Sequence, residues 1–175
     1  KDIFDDKFLG QFFQGALDPA VVAGTLYGVP DNYGNHLMLI YNKDLIAEPP
    51  ATFEDLIAKA KELTTGDIQG FAYNLNEPFW GAGFYGAFGG WPLDASDKPQ
   101  FNNDAFKNYL AFVASLKTDG VVPAECDYNC ADTLMKDGKA AMIINGDWSL
   151  GDYTKALGDK MGVAPVPPIN GKPYT

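Results

Sequence analysis

Leu37-Met38-Leu39-Ile40-Tyr41 is an unbroken apolar run set between turn-forming residues. A half-exposed strand alternates apolar and polar residues. A run without alternation describes a strand covered on both faces, and so a sheet sandwiched by helices rather than an open hairpin. The neighbouring segments agree. Pro49-Pro50 halts the chain, and Thr52 with Asp55 makes a capping-box-like helix start. Leu56, Ala60 and Leu63 then share one face, and Gly66 terminates. Gly70–Asn74 reads as a strand and 79–88 as a helix despite Gly81, Gly83 and Gly86, with a loop over 91–100. Asn103 caps a helix to Asp119, with Phe106, Tyr109, Leu110, Val113 and Leu116 facing inward and Gly120 as its end. Asp127 or Asn129 opens the next helix, to Asp137 before Gly138. A strand over Ala140–Ile144, a helix over Asp147–Leu157 and a strand over Met161–Ala164 follow. Helices alternate with short apolar strands, so the class is α/β. Upstream, residues 1–24 read as short helices and loop with Phe4, Phe8, Phe12 and Phe13 as a buried stripe, and Leu26–Val29 as a short strand.

Composition limits the partners. The chain carries 23 Asp and Glu against 13 Lys and no Arg, a net charge of -10. Nucleic acid wants basic patches, so an acidic chain of this kind is not built for it. Without Arg there is no planar fork for bidentate recognition of phosphate or carboxylate. A neutral polar ligand fits better, although the same charge also suits a merely soluble exported surface. No apolar run is long enough to span a bilayer. No signal peptide is visible, as in a chain that lacks one or has had it removed. Cys126 and Cys130 lie four apart. They can be free thiols or, in an oxidising compartment, a disulfide. A metal site is disfavoured, because His36 is the one histidine and no second cysteine pair exists. No cofactor motif is present.

Two segments each look like a strand that ends in a turn and delivers aromatic rings into a helix start. One is Asn74-Leu75-Asn76-Glu77-Pro78-Phe79-Trp80; the other is Ile144-Asn145-Gly146-Asp147-Trp148. Rings at strand ends suit a flat ligand with apolar faces and a hydroxylated rim, such as a sugar. Glu77 would accept hydroxyl hydrogen bonds while Phe79 or Trp80 stacks. The plain alternative is a core Phe–Trp pair beside an exposed carboxylate. Trp148 is either a floor for a ligand or a plug for the core. Tyr128, at a helix start beside the cysteines, can be a ligand contact or a ring packed on a loop. Tyr33 and Asn35, flanking Gly34, line a cleft or form a turn, and His36 reads as a structural histidine. A glycosidase would need two facing carboxylates; Glu77 and Asp147 are the pair that could be proposed. A polyamine is a third ligand class, since cations also favour acidic aromatic pockets.

Tyr41-Asn42-Lys43-Asp44-Leu45 and then Pro49-Pro50-Ala51-Thr52-Phe53-Glu54-Asp55-Leu56 resemble the extracellular solute-binding proteins of sugar ABC importers, most of all the maltose/maltodextrin-binding branch. Three further stretches, in the same order, carry the likeness: Phe71 to Phe79, Asp127-Tyr128 with Lys136 to Met142, and Ile144 to Trp148. The resemblance runs from about Leu26 onward. It implies a two-lobed periplasmic-binding-protein-like fold that closes on its ligand, outside the cytoplasm. This chain then reads as a fragment: 1–36 as the remnant of the first lobe and hinge entry, 37–164 as the second lobe with a mixed sheet flanked by helices, and 165–175 as a Pro-rich segment leading onward. The resemblance also implies a carbohydrate ligand, an ABC permease as partner, no chemistry, and sugar contacts at Glu77, Phe79, Tyr128 and Trp148. Self-association is expected if surface meant for the other lobe is bare. Three positions depart from the branch: Phe79 stands for a tyrosine, Leu150 for a tryptophan and Asp147 for a proline. They leave the sugar and its chain length open.

Overall fold

The apolar run 37–41 becomes an interior strand of a four-stranded sheet. In the computed structural model, which describes residues 3–174, strand β3 (Leu37–Asn42) lies between β5 (Ala140–Gly146) and β6 (Met161–Ala164), antiparallel to both. Strand β4 (Gln69–Ala72) adds to the far side of β5 in parallel, so the sheet is mixed with order β4-β5-β3-β6. Leu37 faces Gly146 and Ile40 faces Ile143 across the β3–β5 ladder. The missing alternation in β3 is explained by its two covered faces. Leu39 and Tyr41 enter one core and Ile40 enters the other.

The first core is built from helices α3 (Phe53–Leu63), α4 (Pro78–Ala87) and α5 (Asp104–Thr118). The second is built from α6 (Tyr128–Lys136) and α7 (Leu150–Leu157), whose Ala131, Met135, Tyr153 and Leu157 pack with Ile143. Caps set the helix starts as the sequence suggests. Thr52 accepts from the Asp55 N–H, Asn103 from Phe106 and Asp127 from Cys130. Asp127, not Asn129, therefore opens α6. Helix α4 keeps its glycines for space. A β-carbon at Gly81 would meet the Tyr109 hydroxyl at 1.9 Å, and one at Gly83 the Tyr174 ring at 2.3 Å.

The segment after β6 folds back on the first core. The Pro168 carbonyl accepts the Phe53 N–H at 2.9 Å, Ile169 is buried, and the Tyr174 hydroxyl donates to the Trp80 carbonyl at 3.1 Å. Burial pushes the Tyr174 phenol up to about 12, so it stays a neutral donor.

A separate compact unit ends at Asn35, and the sheet domain begins at His36. In that first unit lie α1 (Asp6–Leu9), α2 (Gln14–Leu17) and a two-residue hairpin of β1 (Val21–Val22) with β2 (Thr25–Leu26). The expected buried phenylalanine stripe is not there. Phe4, Phe8 and Phe13 are exposed and Phe12 half-buried, while Leu17 is the buried residue. Two four-residue helices offer no continuous apolar face, and the rings pair among themselves, Phe4 on Phe8 at 4.8 Å and Phe13 on Tyr33 at 5.5 Å. Three smaller corrections apply. The strand expected over Leu26–Val29 is only Thr25–Leu26; Leu110 on α5 is exposed; and Asp147–Ser149 is a 3-10 turn before α7 begins.

Phe53 is fully buried and meets Phe71, Phe84 and Phe112 edge-on, at 5.3–6.1 Å. Phe53→Ala will cost about 3–5 kcal/mol by transfer and cavity terms, read as a fall in the urea midpoint. A change under 1 kcal/mol would show that the cluster does not hold the domain.

Candidate functional site

Strands β4 and β5 run parallel, so both carboxyl ends open on one edge of the sheet. Each ends near an asparagine with a buried side chain, Asn74 and Asn145. Asn74 accepts the Asn76 N–H at 3.0 Å and donates to Glu77 Oε1 at 3.2 Å. This fixes the turn and holds the Glu77 carboxylate beside Asn74, just before α4. Asn145 donates to the Tyr153 hydroxyl at 2.7 Å and accepts the Gly146 N–H at 2.8 Å, while Ser149 Oγ donates to the Gly146 carbonyl at 2.6 Å. Burial pushes the Tyr153 phenol up, so it remains a neutral acceptor for that amide. Both turns are thus fixed from inside the protein.

Four aromatic side chains meet between these turns. Trp80 is 4% exposed and forms the base. Tyr128 stacks on it at 5.6 Å, Phe79 meets it edge-on at 5.2 Å, and Trp148 meets it at 6.1 Å. Phe79 and Trp148 are 6.4 Å apart and stand half out of the surface, at 49% and 44% exposure. The Trp148 indole N–H donates to the Tyr128 hydroxyl at 3.1 Å. Trp80 is thus buried, whereas its neighbours Phe79 and Trp148 reach the surface. Tyr128 stacks on its ring, and Phe79 and Tyr73 meet it in near-perpendicular contacts. Its buried Nε1 has no hydrogen-bond partner.

Asp147 receives a backbone and a side-chain tie to the start of β3. Its N–H donates to the His36 carbonyl at 3.1 Å, and its carboxylate lies 3.3 Å from His36 Nδ1. His36 is in this sense structural, and it takes up one oxygen of the carboxylate that an acid/base pair would use. Tyr33 and Asn35 belong to the first unit, where Tyr33 packs on Phe13 and Asn35 holds a left-handed backbone with φ 69°. Among the described residues no group of three His, Cys, Asp or Glu is placed to hold a metal ion.

Cys126 and Cys130 form a disulfide with Cα atoms 5.2 Å apart. It closes a small ring with Tyr128 at its centre and Asp127 capping α6 inside it. On the other side of Phe79 an apolar groove of about 620 Å³ runs between α4 and α5, lined by Leu75, Glu77, Phe79, Tyr85, Phe106 and Tyr109. The contributions of Asn74, Asn145, Gly146 and Ser149 escape a reading for ligand contacts. The available signal was an asparagine near the end of each of two apolar strands.

The sheet is mixed and covered by helices on both faces, and an aromatic ledge stands at the carboxyl ends of its parallel strands, the edge where open α/β sheets place ligands. Residues 2–175 match the family model described as bacterial extracellular solute-binding protein, and the chain belongs to that family. Its place is accordingly outside the cytoplasm, where a disulfide persists. The chain is 30% identical to the maltotriose-binding protein of Pyrococcus abyssi over 97% of its length and 38% of that protein's. It is 29% identical to the galactooligosaccharide-binding protein of Bacillus subtilis, over 92% and 41%. Among solved structures, the maltose/maltodextrin-binding domain from Bdellovibrio bacteriovorus bound to maltotriose superposes with a TM-score of 0.89 at 38% identity. The maltotriose-binding protein of Thermus thermophilus does so at 0.81 and 35%. In both, 99% of this chain is covered and 48% of the other. The chain therefore spans less than half the length of these relatives.

Opening the disulfide frees the ring that carries Tyr128. For a loop this short the chain-entropy model gives about 2 kcal/mol. Replacing both cysteines by serine will lower stability by about that amount and speed solvent exchange of the Trp148 indole proton. Equal stability and exchange with and without the bridge would show that it does not hold Tyr128 in place.

Proposed function

We propose that this chain supplies one face of the binding site of a sugar-binding protein, which takes a neutral maltodextrin-like oligosaccharide and passes it to an ABC permease. The observation that carries this reading is the fixed ledge of Trp148 and Phe79, half exposed over a buried Trp80–Tyr128 stack. Pyranose rings present flat C–H faces, which suit such aromatics, and equatorial hydroxyls, which suit carboxylate acceptors such as Glu77 and Asp147. The names of the relatives support the ligand class: maltotriose for one, galactooligosaccharides for another. Phe79 supplies a face without a hydroxyl, and Leu150 supplies no ring at all. The contacts are then fewer than on a fully aromatic floor, which favours a short oligosaccharide.

The protein does no chemistry in this reading. Asp147 is tied to His36 and Glu77 to Asn74, which fits carboxylates that hold hydroxyls rather than a pair that exchanges a proton with a glycosidic oxygen. A second face, from chain beyond this one, closes over the sugar. Held alone, this face gives weak affinity.

Titration of the 15N-labelled chain with maltotriose, galactooligosaccharides and spermidine tests the reading. Maltotriose will give saturable shifts at the Trp148 indole and around Glu77. Trp148→Ala will weaken binding at least tenfold, about 1.4 kcal/mol, and Glu77→Gln will weaken it with no product formed by either protein. Saturation by spermidine alone would move the reading to a polyamine. Slow hydrolysis of maltotriose, lost in Glu77→Gln, would move it to an enzyme.

A further inference from the structure

We infer that Gly146 is a positioning residue for Trp148, because its missing side chain is the seat on which the indole lies. The effect on ligand rests on the sugar reading above; the geometry does not. Glycine at a strand end is usually explained by backbone conformation, but here that explanation fails. Gly146 has φ -96° and ψ 167°, ordinary extended backbone open to any residue. What it lacks is room. A β-carbon built on it would come within 2.0, 2.2 and 2.3 Å of Cζ3, Cη2 and Cε3 of Trp148, and these are its three nearest contacts. All three atoms belong to the six-membered ring of the indole. The ring and a side chain at 146 therefore compete for one volume.

The backbone cannot give way. Gly146 pairs with Leu37 across the sheet, its N–H is held by Asn145 Oδ1, and its carbonyl is held by Ser149 Oγ. The indole can give way, because it is half exposed and its anchor outside van der Waals contact is one hydrogen bond, to Tyr128. A larger residue at 146 thus displaces the ring, breaks that hydrogen bond and tilts the platform out of register with Phe79. Gly146 touches no ligand in this account. It acts through Trp148, by leaving the room in which the indole lies.

The test compares Gly146→Ala in the wild-type and Trp148→Ala backgrounds, by indole NMR without sugar and by maltotriose titration. In Gly146→Ala the Trp148 indole N–H will shift toward the position of a solvent-exposed tryptophan and exchange faster. Maltotriose affinity will fall about tenfold, the scale of one aromatic contact. In the Trp148→Ala background the same change will cost nothing further, since the obstructing ring is gone. If Gly146→Ala does not fold, the double variant must fold, for the same reason. An unmoved indole resonance overturns the inference. So does an equal loss of affinity in both backgrounds, or a double variant that also fails to fold. Should the wild-type chain not bind maltotriose, the sugar reading falls, and the ligand-free indole spectra still decide the role of Gly146.

Discussion

Strand β5 is buried along its whole length, so none of its backbone groups can turn to water. Its pairing with β3 from Met142 to Gly146 on one side, and with β4 from Ala140 to Ile143 on the other, satisfies most of them, and that double pairing dictates most of what surrounds it. The two faces of β5 enter different cores, Met142 and Ile144 on one side and Ile143 on the other. Helices must therefore cover both sides of the sheet. Because β4 is parallel to β5, the two strands also finish at the same edge. The candidate site exists because two buried strands run out of partners at one place.

Running out of partners is a physical problem as well as an opportunity. Past the last ladder hydrogen bond, the backbone must find other groups or reach solvent. Asn74 and Asn145 supply those groups from their own side chains, each bonding to the backbone one or two residues on. The turn that results is fixed before any ligand arrives. Trp148 then lies over bare backbone at Gly146 with its N–H tied to Tyr128, and Tyr128 sits inside a closed disulfide ring on a buried Trp80. Each ring is braced by the one below.

The architecture was legible in the sequence wherever a local rule had no competitor. The unbroken run at 37–41 told of a covered strand, Thr52 and Asn103 announced helix starts by their chemistry, and a third start was narrowed to Asp127 or Asn129. The two aromatic turns were legible too, and the structure brings them to one edge of the sheet, but whether their rings were core or surface was not readable from the sequence. What failed depended on contacts distant in sequence. The phenylalanines of the first unit have helical spacing, but helices of one turn present no stripe to bury. Leu110 has the periodicity of a core residue and faces a groove instead. Trp80 and Phe79 are adjacent and chemically alike, yet one is buried and the other exposed, because α4 turns about 100° between them. The role of Gly146 was invisible for the same kind of reason: a glycine in a turn suggests conformation, and only the position of a ring two residues away shows that space is what matters.

Rigidity of this kind has a consequence for recognition. Association must overcome the ordering of every side chain that it immobilises, about 0.5–1.5 kcal/mol for each flexible one. Here Trp148 already has one hydrogen bond to Tyr128, both exposed rings rest against the buried Trp80, and the carboxylates at the rim already have neighbours in Asn74 and His36. Little remains to be ordered when a ligand docks. An acidic, arginine-free ledge would also select by what it refuses. It has no fork for a phosphate or a carboxylate, and its negative rim repels both. The sugar proposed above, a neutral polyhydroxylated ring, would avoid that repulsion and offer hydroxyl donors to oxygens that can only accept.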